Sequence, residues 1–345
     1  MFPRIFPTLR PIFLVAFAVL LATAPSPTIA AVPQLNWGQL DQTLETVSVE
    51  SNLLVAEFRG SSCTTIHERN ADLTLAIAST FKLYVLGELS LQILNGEASW
   101  DDQITLRSSL RSMPSGDYAW VPAGTDVSVL ELAQAMIWHS DNTATDHLID
   151  YLGRDNVQRA FAAFGHSDPE LNSPLLLTRE LFAIKMTQSA SWMDQFAAAD
   201  DTTQLSLLNS DIDPLTIDPS GGWGNWNGPT AIQDIEWFAS ASDLCRVTAS
   251  LWTLGAQPGL TPVRDILSGN RGAIGDLTSF PQAGYKGGYE AGVVNMTYVL
   301  EREDGRVFFV SAGYNSTVYS IDTSIAVGYI VPVFTCLSDD ACIEA

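Results

Sequence analysis

Lysine is almost missing from this chain. Only Lys82, Lys185 and Lys286 occur in 345 residues, and with arginine the basic total is 17 against 39 acidic residues, a formal net charge of −22. So large an acidic excess argues against nucleic acid or an anionic membrane surface as partner, because like charges repel. Cysteine is also scarce, with Cys63, Cys245, Cys336 and Cys342 alone. No C-x-x-C or H-E-x-x-H spacing occurs, and His67, His139, His147 and His166 are scattered. The chain therefore lacks a zinc signature, and neither a metal nor a cofactor is expected.

Long apolar runs are rare too. Ile12 to Ala24 follows Arg4 and Arg10 and precedes Thr28-Ile29-Ala30. That run is too short for a comfortable membrane span. Its order of charge, apolar core and small residues reads as an export leader, residues 1–30, cleaved before Ala31. Ala22-Thr23-Ala24 is a rival cleavage site, and an uncleaved short anchor is the alternative. No cysteine precedes Cys63, so there is no lipid-attachment site at the cleavage region. The body, residues 31–345, is expected to be exported, periplasmic or secreted, with no stable membrane insertion once the leader is gone. An oxidising compartment permits disulfides, and four cysteines allow three pairings. Cys336 and Cys342 close a short loop and are the favoured pair.

With lysine so rare, the neighbours of each one are informative. Lys82 stands three residues after Ser79, so both lie on one face of a helix. An amine there can take the serine's proton if burial or neighbouring charge keeps it neutral. Leu83 to Leu94 reads as a central buried helix, whose positive end would lie beside Ser79, where an oxyanion could form. A solvated serine and lysine can show the same spacing. Here, however, Ser140-Asp141-Asn142 follows 61 residues after Ser79, and Lys286 sits in Tyr285-Lys286-Gly287-Gly288, just ahead of a segment that reads as a strand.

Hydrophobic residues make up 46% of the chain, enough for a sizeable core. Leu35 to Val47 has amphipathic helical spacing, and Leu53 to Phe58 and Cys63 to His67 read as strands joined at Arg59-Gly60-Ser61. Trp100 to Leu106 reads as a polar connection. Val127 to Trp138 reads as a helix capped by Asp126 or Ser128, and Thr143 to Leu152 and Asn156 to Phe164 as helices stopped by Gly153 and Gly165. Leu181 to Gln195 is helical. Asp200 to Trp237 is rich in Asp, Pro, Gly and Trp and too long for a bare connector. It reads either as a surface insertion or lid or as a loop packed down by its tryptophans. Ala241 to Thr253 and Pro262 to Ser268 are helical. Gly288 to Val293, Asn295 to Glu301 and Val307 to Ala312 read as strands, and Ser320 to Phe334 as a last helix. The expected class is α/β (α+β): an antiparallel five-stranded sheet made from both ends of the chain and flanked by helices, with an inserted all-helical domain. The α/β part falls at about 31–95 and 243–345, the helical part at about 96–242.

S-x-x-K, S-D-N and a Lys-Gly-Gly, in this order in an exported chain, resemble the penicillin-recognising serine hydrolases. The arrangement is similar to the class A serine β-lactamases over nearly the whole chain after the leader. Asp168-Pro169-Glu170-Leu171-Asn172 resembles that family's omega-loop signature Glu-x-Glu-Leu-Asn, here within an enlarged region of about 166–240. The resemblance implies roles. Ser79 would be the nucleophile, Lys82 would take its proton directly or through neighbours, and Ser140 would pass a proton to the leaving nitrogen. Asn142 would bond Lys82 and the substrate amide, and Lys286 would hold Ser140 and attract a substrate carboxylate. The N–H groups of Ser79 and Tyr289, next to Gly288, would form the oxyanion hole. Asp168 and Asn172 would hold the deacylating water, and Arg271, 15 residues before Lys286, could supply a second positive group.

Two departures mark a divergent branch. Gly287 replaces the Thr or Ser whose hydroxyl helps bind the substrate carboxylate. Asp168, one methylene shorter, replaces the deacylating glutamate, so deacylation is expected to limit turnover. The implied activity is a serine hydrolase working through an acyl-enzyme on Ser79, with β-lactam hydrolysis leading. A peptidoglycan D-Ala-D-Ala carboxypeptidase or esterase is the alternative, and a slow-acylating or non-catalytic binding protein a further one. The substrate would be a small molecule or peptidoglycan-derived, and the chain is expected to act as a monomer.

Overall fold

The computed structural model describes residues 35–216, 228–272 and 277–340. The expected leader, the glycine- and tryptophan-rich stretch 221–227 and Cys342 lie outside the described residues. In chain order the elements are α1 (Trp37–Val47), β1 (Glu50–Arg59), β2 (Ser62–Arg69), the short β3 (Leu75–Ala76) and α2 (Lys82–Asn95). Then follow β4 (Gln103–Thr105), β5 (Asp126–Ser128), α3 (Val129–Trp138), α4 (Asn142–Leu152), α5 (Arg154–Ala163), α6 (Thr178–Thr187), α7 (Ala190–Ala197) and α8 (Asp201–Leu207). The last group is β6 (Phe238–Ala239), α9 (Ala241–Leu254), α10 (Thr261–Ser268), β7 (Gln282–Glu290), β8 (Val293–Glu301), β9 (Val307–Asn315) and α11 (Thr323–Asp339). No described helix is long and apolar enough to cross a membrane.

The main sheet runs β2-β1-β9-β8-β7, and every neighbouring pair is antiparallel. Pairing of β1 with β9 joins the first strand of the chain to the last, as expected from the sequence. Side chains alternate across a strand, so each strand feeds two cores. Leu54, Ala56 and Phe58 of β1 join the larger core with α2 and α9, while Leu53 and Val55 point into a second core beneath α1 and α11. With both faces covered, β1 reads as a continuous apolar run rather than an alternating one. Helix α2 is buried on nearly every side, including Leu83, Tyr84, Val85, Leu86 and Leu89. Such all-round burial belongs to a helix at the centre of a domain.

Several boundaries differ from the sequence expectation. β7 begins at Gln282 rather than near Gly288, so Lys286 lies within the strand. Gly284, Gly287 and Gly288 lower its strand propensity, and tertiary pairing overrides that. Trp100 to Leu106 contains β4, which pairs with β5. The single helix expected over 181–195 is two, because Ser189 leaves the helical path and caps α7 by accepting from Trp192 N. Part of 200–237 is regular: Asp200 caps α8, and a π-helical turn follows at Leu208–Ile212. Trp237, at the end of that region, is buried against Phe81 with ring centroids 3.9 Å apart.

Cys63 of β2 is bonded to Cys245 of α9, which pins that helix to the edge of the sheet. Cys336 is also oxidised. The Cys63–Cys245 loop closes 182 residues. The chain-entropy model assigns such a loop an upper limit of about 5 kcal/mol. We expect the Cys63→Ala, Cys245→Ala variant to fold but to lose about 2–5 kcal/mol in urea denaturation. An unchanged midpoint and slope would show that the bridge constrains nothing that the packing does not already hold.

Candidate active site

Three separate pieces of backbone converge on one hydroxyl. The first is the Ser79 turn. Ala78 takes a left-handed conformation (φ 44°), and Ala78–Phe81 forms a 3₁₀ turn that runs into α2. The turn is held by Ile77 N donating to Trp237 O (2.9 Å) and by the Thr80 hydroxyl on Asn295 Oδ1 (3.0 Å). Lys82 follows at the first turn of α2, fully buried.

The second piece is the turn between α3 and α4. Ser140 sits there at φ 53°, a conformation few non-glycine residues adopt without support. The support is explicit. Asp141 caps α4 through Ala144 N (2.8 Å) and accepts from Tyr118 N (2.9 Å). Ser115 donates its hydroxyl to Ser140 O (2.6 Å). Asn142 gives one amide hydrogen to Met113 O (3.1 Å).

The third piece is the outer strand β7. Tyr285 N donates to Asn270 O (2.8 Å), off the sheet. Along a strand, N–H groups two apart point the same way, so Gly287 and Tyr289 also present theirs at this edge. Gly288 faces the Ser79 turn. A Cβ at that position would lie 1.9 Å from Ile77 O and 2.9 Å from Ser79 N, so only glycine lets the strand come this close.

Lys82 Nζ donates to Asn142 Oδ1 (2.6 Å) and Ser140 O (2.7 Å) and lies 3.1 Å from Ser140 Oγ. Lys286 Nζ approaches the same Oγ from the other side at 3.0 Å and also bonds Gly287 O. Burial lowers the Lys82 pKa from 10.5 to about 7, against the opposing pull of Asp141 and Asp146. Burial and the charge of Lys82 push Lys286 well below its ordinary value. Ser79, Ser140, Asn142, Lys286, Gly288 and Tyr289 line one cleft of about 350 Å³. Its remaining walls include Trp138, His139, Phe182 and Tyr285.

Three of the anticipated residues are elsewhere. Asp168 is exposed and is not among the residues that line the cleft. Its backbone N–H is tied to His166 Nδ1 (3.0 Å), and Ser167 is anchored to Asp243, so this turn carries the carboxylate outward. Asn172 spends both ends of its amide on the backbone of Phe238 (2.9 and 3.0 Å), holding β6 rather than facing the cleft. Arg271 is exposed and turns onto the carbonyls of Leu277 (3.0 Å) and Phe280 (2.9 Å). Sequence reasoning missed Ser115, Phe182 and Tyr285. No motif signals the first two, and Tyr285 was in view only as a flank of Lys286.

A model of the β-lactamase enzyme family matches residues 54–210. No curated protein sequence matches the chain. Among solved structures, the fold is similar to a β-lactamase from Sphaerobacter thermophilus (TM-score 0.61, 18% identity, 89% of this chain and 98% of that one). It is also similar to a point mutant of PBP-A in an acyl-enzyme complex with penicillin G (0.57, 16%, 90% and 98%). A third is a β-lactamase from Chitinophaga pinensis (0.59, 14%, 88% and 98%). The architecture is that of the class A serine β-lactamases and PBP-A.

Behind β7 lies the third lysine. Lys185 of α6 donates to Glu236 and to Glu290, each at 2.7 Å, and all three side chains are buried. Burial opposes the Lys185 charge, but the two carboxylates outweigh it and raise its pKa. Burial and the neighbouring Glu236 raise the Glu290 pKa well above its ordinary value, against the pull of Lys185. The cluster ties α6 and the segment before β6 to the residue that follows Tyr289. Lys185→Met would leave two buried carboxyls without their cation, an expected loss of about 3–5 kcal/mol in chemical denaturation. Glu290→Gln keeps the neutral shape and should cost far less. Equal losses in the two variants would show that Glu290 is ionised.

Proposed function

We propose that this chain is an exported serine hydrolase that forms an acyl-enzyme on Ser79, with β-lactams as its leading substrates. The observation that carries this reading is the chain of contacts Lys82–Ser140–Lys286 in the cleft that Ser79 lines. An amine with a pKa of about 7 is neutral in a large fraction of molecules at neutral pH, so it can accept the Ser79 proton. The serine oxygen bonds to the carbonyl carbon. Negative charge moves to the carbonyl oxygen, between the N–H groups of Ser79 and Tyr289. As the C–N bond breaks, the Ser140 hydroxyl gives its proton to the nitrogen and is resupplied from Lys82. Lys286 orients that hydroxyl and meets the substrate's carboxylate. The acyl-enzyme seen in the PBP-A structure with penicillin G supports this first half-reaction.

The second half-reaction needs a water held by a base. None of the carboxylates of the 166–172 loop lines the cleft, and Phe182 forms part of its wall. We therefore expect the acyl-enzyme to persist. A second reading, a D-Ala-D-Ala carboxypeptidase or esterase, shares the first half-reaction and likewise releases its acyl group to water. Export rests on the leader-like first 30 residues, and N-terminal sequencing of secreted protein should begin near Ala31.

Intact mass after incubation with penicillin G should show one adduct, absent in Ser79→Ala. Unchanged labelling of Ser79→Ala would remove the nucleophile from the scheme. The acylation rate should climb as pH rises through about 7, because the Lys82 amine must lose its proton before it can accept one. A flat profile from pH 5 to 9 would exclude Lys82 as the base. Asp168→Glu should leave turnover of a chromogenic cephalosporin within about twofold, since that side chain does not face the cleft; general-base effects are about 10²–10⁴-fold. Acceleration of that size would mean that the loop turns inward when substrate binds.

A further inference from the structure

We propose that the Tyr285 hydroxyl takes the place of the hydroxyl lacking at residue 287 and donates to the substrate's carboxylate beside Lys286. The inference rests on the serine-hydrolase reading above and names a specificity residue that no motif contains.

Residues 285 and 287 of β7 project on the same face of the strand. Gly287 has no side chain, and the space it leaves is filled. A Cβ there would lie 1.9 Å from the Tyr285 hydroxyl oxygen and 2.5 Å from Cζ. The phenol thus lies back over the glycine, with its oxygen within little more than a bond length of the point from which a threonine would hang its own. Both residues line the cleft with Ser79, Ser140 and Lys286. Glycine at 287 and tyrosine at 285 are therefore one coupled arrangement. Any β-carbon at 287 would collide with the phenol.

The ring is fixed before substrate arrives. It packs on Tyr298 at 4.6 Å between centroids, and Tyr298 meets Phe334 edge-on at 5.0 Å. Beneath it runs Gly272, where a Cβ would come within 3.1 Å of Tyr285 Cγ. Burial alone pushes the phenol's pKa up to about 12, so it remains a donor at neutral pH. Among the described residues nothing accepts its proton, which leaves it available to a ligand. A donor placed in advance costs little ordering on binding. A carboxylate held there would favour the charged form of Lys286, which burial opposes, and would meet a neutral O–H as well, the pairing of charge and direction that a lysine alone, as a point charge, does not give.

The test compares the second-order rate of Ser79 acylation by penicillin G and by its methyl ester, followed by intact mass. Tyr285→Phe retains the ring and its packing. It should slow acylation by the acid roughly 10- to 100-fold, the range for a hydrogen bond to a charged group, and leave the ester within about twofold. Tyr285→Leu combined with Gly287→Thr moves the hydroxyl back to residue 287 and should regain most of the lost rate. The proposal is overturned if Tyr285→Phe acylates as fast as wild type. It is equally overturned if acid and ester slow together, or if a folded double variant stays as slow as Tyr285→Phe. Wild type that takes no label on Ser79 defeats the hydrolase reading itself, and this proposal with it, which separates the two failures.

Discussion

Two buried amines share one hydroxyl, and burial disfavours the charge on each. Lys82 and Lys286 each lie about 3 Å from Ser140 Oγ, and both are held below their ordinary pKa. Much of the surrounding structure serves to sustain this unfavourable arrangement. Helix α2 delivers Lys82 from the centre of the core. The α3–α4 turn holds Ser140 in a left-handed conformation through Asp141 and Ser115. Strand β7 brings Lys286 in along an edge that glycine lets approach the serine turn. Each element is stabilised by contacts elsewhere: the apolar faces of α2, the capping of α4, the pairing of β7 with β8. Stability spent at a reactive centre is commonly recovered in this way, in packing away from it.

Much of this was legible in the sequence for identifiable physical reasons. Ser79 and Lys82 must share a helix face at that spacing, and a Ser-Asp-Asn after an apolar helix supplies its own cap for the next one. The sheet built from both ends of the chain followed from where apolar runs with strand character fall. What could not be read depended on long-range contacts. Asp168 turns outward because His166 and Ser167 bond to groups near or beyond residue 238, which no local pattern encodes. Gly284, Gly287 and Gly288 hide the first half of β7, a strand that its pairing with β8 fixes. Cys63 and Cys245 are 182 residues apart and meet only because α9 lies on the sheet edge. Lys185 is different. The scarcity that drew attention to Lys82 and Lys286 applied equally to it, and its burial between two glutamates could have been suspected from the same count.

The region between Asn172 and Phe238 does more than cover the surface. Its two ends are tied together by the Asn172 amide on Phe238, and its own Glu236 is drawn under β7 by Lys185. Trp237 then stacks on Phe81, two residues after Ser79. This segment is thus part of the floor beneath Ser79. Changes within it can reach the site through packed side chains without touching substrate.

All three lysines are buried, at 0%, 6% and 3% exposure for Lys82, Lys185 and Lys286. Outside the cleft, the folded surface therefore offers no side-chain amine: its positive charge comes from arginine. Outside the cleft that Lys286 lines, reagents that acylate or crosslink amines find no lysine side chain while the fold is intact, and a lysine-specific protease has no accessible bond. Amine reactivity in this protein is a property of its interior. A lysine modified at the rate of a surface residue would report that the core around Ser140 or Glu290 had opened.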